Sequence, residues 1–137
     1  MQHIVVAAKA GADQPWLADA AVQLAEDTGA AVSVVSVDGI DVEVLSPIPR
    51  SEVQADAQQA VDGVLERLKS AGVQAEGEVR PGAVTTGILL YAEEKDADLI
   101  VCGASTKGRV ARRVLGSVPV ELIRRARRPV LVITPSH

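Results

Sequence analysis

Short apolar runs alternate with segments of helical period along the whole chain. Five runs are predicted as strands because they are short and bounded by turn residues: residues 3–8, 31–37, 73–80, 98–102 and 129–133. All of them except 73–80 are rich in Val, Ile and Leu. Four intervening segments space apolar residues three and four apart, as amphipathic helices do: 13–30, 51–72, 83–97 and about 117–127. This alternation predicts one α/β domain, a doubly wound parallel sheet with helices on both faces.

Capping residues predict where two of the helices begin and end. Asp13 is placed to cap the first helix, and Gly29 to end it. Ser51 and Gln54 have the spacing of a capping box at the start of the second helix, and Gly72 follows its last apolar residue. In the connection before that helix, four aliphatic residues either form a lid over the crevice at the strand ends or pack against the sheet or a partner subunit: Val42, Val44, Leu45 and Ile48.

The two outer strands are predicted from their patterns. The third strand alternates apolar and polar residues, which suits a solvent-facing edge. The last strand, Pro129–Ile133, is apolar at every position, which favours a strand covered on both faces. Because an exposed apolar edge invites pairing with another chain, we predict a homodimer joined through this strand.

Composition limits the classes of protein that the chain can belong to. Its 137 residues, taken as the single domain 1–137, include no Phe, one Trp and one Tyr, so the core is built from aliphatic residues. Trp16 and Tyr91 are predicted as packing residues. Cys102 is the single cysteine, which excludes an internal disulfide, and we expect a small core residue there. His3 and His137 have no metal-ligand spacing, so no metal site is predicted.

Targeting signals are not evident in the sequence. No apolar run reaches the roughly 20 residues that a membrane span requires. The start, MQHIVVAA, lacks the basic and long apolar regions of a signal peptide. We therefore expect a cytoplasmic protein.

Charge is divided unevenly along the chain. Residues 1–102 carry 6 Lys or Arg against 17 Asp or Glu, whereas residues 103–137 carry 8 against 1. Four of the basic residues, Arg124, Arg125, Arg127 and Arg128, fall at the end of the last helix, where cations are favourable. Since the chain has almost no aromatic residues to stack on bases, a nucleic-acid partner is not expected.

The segment after the fourth strand, GASTKGRVARRVLGS (103–117), supports two interpretations. Gly103, Gly116 and Ser117 could form a cradle for a phosphate, with backbone amides at a helix N-terminus and a serine hydroxyl. Alternatively, the segment is a strand-to-helix crossover in which Ser117 caps the helix.

The same segment carries a resemblance to the universal stress protein family. The family pattern is a glycine, two residues, a glycine, nine residues, then glycine and Ser or Thr, often with Val next. Gly103, Gly116, Ser117 and Val118 match it, as do ADLIVCG before and RRPVLVI after. The resemblance implies a five-stranded sheet of order 3-2-1-4-5, dimerised through the last strand, in a stress-response or regulatory module that is not an enzyme.

The resemblance also implies a ligand site between the ends of strands one and four. Some members bind ATP there, and some related proteins bind cyclic nucleotides. Three positions depart from the pattern: Thr106 replaces the second glycine, Lys9 replaces an acid after strand one, and Pro119 replaces a hydroxyl residue. Carried over by position, the predicted contacts are Ala7, Ala8, Lys9, Val37, Gly103, Thr106, Lys107, Arg109, Gly116, Ser117 and Val118.

Two functions remain open at this point. The first is a regulatory module that binds ATP or another adenine nucleotide, with cyclic AMP as the alternative ligand. The second is a dimeric interaction module of the same family that binds no nucleotide. A slow ATPase is a weaker third hypothesis, because no arrangement of carboxylates or histidines around the site suggests a general base.

Overall fold

The computed structural model describes residues 1–39, 49–104 and 116–135, in which five strands and four helices alternate. The strands are β1 (His3–Ala7), β2 (Ala31–Val37), β3 (Ala75–Arg80), β4 (Leu99–Gly103) and β5 (Val130–Ile133). The helices are α1 (Pro15–Thr28), α2 (Arg50–Ser70), α3 (Val84–Glu94) and α4 (Ser117–Arg125). The aliphatic residues Val42, Val44, Leu45 and Ile48 lie outside the described residues.

The strands form one parallel sheet in the order β3-β2-β1-β4-β5. This confirms the predicted fold class and the order implied by the family resemblance. β1 is central, and Ala7 near its carboxyl end lies opposite Val35 of β2 and Cys102 of β4. The first and fourth strands therefore end side by side.

Helices cover both faces of the sheet and bury two separate aliphatic cores. On one face, α1 and α2 pack on alternate strand residues, with Leu17 and Val61 fully buried. On the other face, α3 and α4 do the same, with Tyr91 and Leu122 buried. Tyr91 is thus a packing residue, as predicted. β1 contributes buried residues to both cores, which explains why its sequence is a continuous apolar run.

The predicted start of the first helix is wrong. α1 begins at Pro15 after Gln14, and Gln14 makes no side-chain cap hydrogen bond. Proline favours the first helical position because its fixed φ suits the helix and its missing N–H would have no helical partner there. Asp13 therefore lies outside the helix. The predicted end is confirmed, because Gly29 is left-handed at φ 72° and its N–H donates to the Ala25 carbonyl.

The capping box predicted at the second helix is also wrong. α2 begins at Arg50 with Pro49 as the preceding cap residue, so Ser51 lies inside the first turn. No side-chain hydrogen bond caps this helix. Its far end agrees with the prediction: after Ala71 the chain turns at Gly72, which has φ 77°, and the Val73 N–H donates to the Leu68 carbonyl.

The two edges of the sheet differ in chemistry. β3 presents charged residues, and Arg80 pairs with Glu94 while Lys95 pairs with Glu76. Such charges discourage edge-to-edge association. β5 is the other edge, and its Leu131 keeps 37% of its surface exposed, so the described helices leave this strand partly uncovered. None of the helices in the described ranges is long and apolar enough to cross a membrane.

Candidate functional site

A cavity of about 400 Å³ opens at the carboxyl ends of β1, β2 and β4. This volume is within the range of small-molecule sites, roughly 300–1,000 Å³. The starts of α3 and α4 both contribute to its wall. The described residues that line it are Ala7, Ala8, Lys9, Ala10, Gln14, Val37, Asp38, Gly39, Val84, Ile88, Cys102, Gly103, Gly116, Ser117, Val118 and Pro119.

One end of the cavity is mainly apolar and carries a buried acid. Val37 ends β2, and Val84 and Ile88 of α3 face the same space. Asp38 follows Val37 and is only 7% exposed. Its carboxylate Oδ1 accepts a hydrogen bond from the Gly82 N–H at 3.3 Å, and its own N–H donates to the Arg80 carbonyl at 2.9 Å. The acid is therefore held in place by the turn that follows β3.

The middle of the cavity is formed by the exit from β1. Here the chain makes a turn in which the Ala12 N–H donates to the Lys9 carbonyl at 3.2 Å and Gly11 is left-handed at φ 77°. The Lys9 N–H donates to Gln14 Oε1 at 3.3 Å. Both backbone groups of Lys9 are thus held, while its side chain is exposed at the cavity wall.

Gly103 is required by packing between β4 and the start of α1. A Cβ at this position would lie 2.5 Å from Trp16 Cη2 and 2.8 Å from Gln14 Nε2. Carbon atoms in ordinary contact are about 3.5–4.0 Å apart, so only glycine leaves room for the indole ring. The conformation of Gly103 is not left-handed. Its first evident role is therefore steric, and Trp16 packs against the α1–α2 core, as predicted for a packing residue.

The other end of the cavity is the N-terminus of α4. Gly116 precedes the helix at φ 94° and ψ 163°, a conformation that only glycine adopts readily. Ser117 is the first helical residue, and no side-chain hydrogen bond caps this helix. The interpretation of Ser117 as a helix cap is therefore wrong, because the cap position falls on Gly116. The N–H groups of a first helical turn have no partner within the helix.

Pro119 changes the number of donors at this helix end. It is the third helical residue, it is buried, and it lines the cavity. Because proline has no N–H, the first turn keeps the amides of Ser117 and Val118 and the hydroxyl of Ser117, which is exposed. The helix dipole adds a partial positive charge of about half a unit at this end.

Charged groups around the cavity are few. Of the described residues that line it, Lys9 carries the one positive charge and Asp38 the one carboxylate. Cys102 also lines it, but burial raises the pKa of its thiol to about 11, which keeps it protonated at neutral pH. A buried thiol of this kind is a core residue, as predicted, and not a nucleophile. The described residues contain no group of side chains that could hold a metal ion.

Most of the predicted site residues meet at this cavity. The residues brought together are Ala7, Ala8, Lys9, Val37, Gly103, Gly116, Ser117 and Val118. The predicted contacts Thr106, Lys107 and Arg109 lie outside the described residues. Sequence reasoning missed Asp38 and Gln14. Asp38 could have been found as an acid directly after a buried strand, whereas no local pattern distinguishes Gln14.

Known proteins resemble the chain in sequence and in fold. The sequence profile of the Universal stress protein family matches residues 1–134. Universal stress protein MJ0531 of Methanocaldococcus jannaschii is 36% identical over 81 residues, which cover 59% of this chain and 48% of that protein. The match thus spans about half the length of this curated relative.

Solved structures match over nearly the whole chain. A universal stress protein in complex with cAMP has 26% identity and a TM-score of 0.71, with 98% of each chain covered. A universal stress protein from Archaeoglobus fulgidus in complex with dAMP has 23% identity and a TM-score of 0.73, with 97% of this chain and 98% of that chain covered. Because the family profile matches residues 1–134, the chain belongs to the universal stress protein family.

Proposed function

We propose that this chain is a stress-response regulatory module that binds an adenine nucleotide, ATP or cyclic AMP, in the cavity at the ends of β1, β2 and β4. The observation that carries the proposal is the chemistry of the two cavity ends. One offers the first-turn amides of α4, which have no partner within the helix, and the other offers aliphatic side chains beside a buried acid. The complexes of family members with cAMP and dAMP support the same ligand class.

The phosphate end of the proposed site is the first turn of α4. The amides of Ser117 and Val118 and the Ser117 hydroxyl supply donors, and the helix dipole favours an anion. Hydrogen bonds to a charged group typically contribute about 1.5–3 kcal/mol each. The proposal adds Thr106, Lys107 and Arg109 from the preceding segment, where Lys107 and Arg109 would neutralise phosphate charge.

The base end of the proposed site lies above β2. Ala8 and Val37 would flank the base, with Val84 and Ile88 closing the apolar wall. In this proposal the Asp38 carboxylate, which accepts the Gly82 N–H, also accepts a hydrogen bond from the exocyclic amino group of adenine. The proposal gives the chain no catalytic role, since none of its named contacts is placed as a general base.

Calorimetric titration of wild-type protein and two serine variants, Ser117→Ala and Ser51→Ala, tests this proposal. Wild-type protein should bind ATP or cyclic AMP, and Ser117→Ala should weaken that binding about 10- to 100-fold, the value of one hydrogen bond to a charged group. Because Ser117 caps nothing, the folded stability should change by less than about 0.5 kcal/mol. Ser51→Ala is the matched control, since Ser51 is an exposed first-turn serine that does not line the cavity.

The contrary result is equally clear. If millimolar ATP, cyclic AMP or AMP gives neither heat nor a rise in Tm, the nucleotide proposal is wrong. The alternative, a dimeric interaction module without a nucleotide, would then account for the fold. If Ser117→Ala and Ser51→Ala weaken binding equally, the phosphate does not lie at α4.

We also propose that the chain forms a homodimer through Pro129–Ile133. Among the described strands β5 pairs only with β4, so its outer backbone groups are available to a second strand. Leu131 on β5 and Val120 and Ile123 on α4 are exposed, which leaves apolar surface beside this edge.

Light scattering of the protein as it elutes from a size-exclusion column gives its molar mass and so measures this association directly. Leu131→Glu should convert the dimer to a monomer, because the introduced carboxylate would be buried without a partner in the paired edge. Leu90→Glu is the control, since Leu90 is an exposed leucine on α3. If wild-type protein elutes as a monomer even at about 100 times the concentration used for the binding titrations, the dimer proposal is wrong. It is also wrong if Leu131→Glu stays dimeric.

A further inference from the structure

Lys9 occupies a fixed position at the wall of the cavity. Its backbone is held by the Ala12 N–H and by Gln14 Oε1, so the side chain starts from a defined point. The side chain is exposed, and among the described residues no carboxylate forms an ion pair with it. An exposed lysine that lines a cavity without an ion-pair partner is available to a ligand anion.

The strand order determines which part of a ligand Lys9 would meet. The base end lies at β2, and the phosphate end lies at α4, which follows β4 in the chain. β1 is between β2 and β4 in the sheet. Adjacent strands are about 4.8 Å apart, so the carboxyl ends of β2 and β4 are separated by roughly two strand spacings, and Gly103 at the end of β4 lines the same cavity as the first residues of α4. The sugar therefore spans the exit of β1, where Lys9 follows Ala8.

We propose that Lys9 makes this site selective for nucleotides whose ribose carries a phosphate on the 2′ or 3′ oxygen in addition to the 5′-phosphate. This inference rests on the proposed function of the cavity. The ammonium group of Lys9 binds the ribose phosphate, while the first turn of α4 binds the 5′-phosphate. A ribose with free hydroxyls gives Lys9 no anion to bind, so such a nucleotide gains nothing from this side chain.

The charge distribution favours this assignment over a general attraction to anions. Asp38, the carboxylate that lines the cavity, follows β2 at the base end, whereas Lys9 follows the neighbouring strand β1. A single charge-assisted contact changes affinity by about 10- to 100-fold. The gain should therefore appear as a preference between two ligands that differ only at the ribose.

Calorimetric titration with matched adenosine nucleotides tests the inference. The probes are AMP, adenosine 3′,5′-bisphosphate and adenosine 2′,5′-bisphosphate, each titrated into wild-type protein, Lys9→Gln and Lys9→Arg. At least one bisphosphate should bind wild type about tenfold or more tightly than AMP. Lys9→Gln should remove that preference by weakening the preferred bisphosphate about tenfold more than it weakens AMP, and Lys9→Arg should keep the preference. The two bisphosphates distinguish a 2′-phosphate from a 3′-phosphate.

A control variant and three outcomes separate this inference from the proposed function. Lys69→Gln removes an exposed lysine from the last turn of α2 and should change neither affinity. If AMP binds and the bisphosphates bind no more tightly, the role of Lys9 is wrong but the nucleotide site stands. If Lys9→Gln weakens AMP and the bisphosphates equally, Lys9 acts only as a general charge and the selectivity is wrong. If no nucleotide binds, both proposals fail.

Discussion

Replacing Gly103 by alanine tests whether this glycine serves packing at the cavity wall. The added Cβ would lie 2.5 Å from Trp16 Cη2 and 2.8 Å from Gln14 Nε2. Gly103 is not left-handed, so alanine meets no backbone penalty and the whole effect is steric. The amide of Gln14 can rotate away, but the indole ring is rigid, is partly buried and packs against the α1–α2 core, so it must move as a unit.

The size of the effect follows from the required displacement. Carbon atoms in contact are about 3.5–4.0 Å apart, so the ring must retreat by roughly 1 Å. Overpacking of this kind typically costs about 1–3 kcal/mol. We expect Gly103→Ala to lower the free energy of unfolding by about 2 kcal/mol, which for a chain of this length lowers Tm by roughly 6–10 °C.

Urea unfolding followed by circular dichroism gives the free energies for a double-mutant cycle with Trp16→Leu. In that background the ring is gone, so the cost of Gly103→Ala should fall below about 0.5 kcal/mol, and the coupling energy should exceed about 1 kcal/mol. Gly63→Ala is the control, because no atom lies within 4 Å of its added Cβ. In mid-helix it should stabilise the protein by about 0.5–1 kcal/mol. An equal cost of Gly103→Ala in both backgrounds would refute the steric account.

Two further predictions concern the ends of elements. Asp98 Oδ2 accepts hydrogen bonds from the N–H groups of Gln2 at 2.7 Å and His3 at 3.0 Å, and these lower the pKa of Asp98 below its ordinary value. The ionised carboxylate therefore stabilises the fold above the unfolded pKa of about 3.9, and this stabilisation is lost as pH falls through the lowered folded pKa. The Tm difference between wild type and Asp98→Asn should shrink between pH 6 and pH 2. A constant difference contradicts this account. Gly116→Ala forces alanine to φ 94° and ψ 163° and should cost about 1–3 kcal/mol in urea unfolding, whereas stability equal to wild type would show that the chain relaxes there.

The fold was predictable because each element carries a local signal. The four apolar strands β1, β2, β4 and β5 are short runs bounded by turn residues, and the helices between them have a clear apolar stripe. Helix starts were less predictable. At α1 and α2 an apparent cap residue, Asp13 or Ser51, lies within two residues of a proline. Pro15 takes the first helical position of α1, and Pro49 takes the cap position of α2.

The site residues were predictable from the sequence only where they lie at the ends of strands or at the start of a helix. Ala8 follows β1, Val37 ends β2 and Ser117 begins α4, so the rule for the carboxyl ends of parallel strands finds them. Gln14 contributes through its contacts with Lys9 and Gly103, and the second of these depends on how α1 meets β4. Such contacts between distant parts of the chain leave no periodic trace in the sequence.

The two glycines that match the family pattern, Gly103 and Gly116, are therefore weak evidence for nucleotide binding. Gly103 is needed beside Trp16, and Gly116 is needed for the backbone that starts α4, so the fold alone would preserve both. Ser117 and Lys9 differ from them, because Ser117 caps no helix and the Lys9 ammonium forms no ion pair among the described residues. Substitutions at these two positions change ligand chemistry without changing packing. It follows that a loss of binding after a glycine substitution would be ambiguous, whereas the serine and lysine variants separate the site from the scaffold.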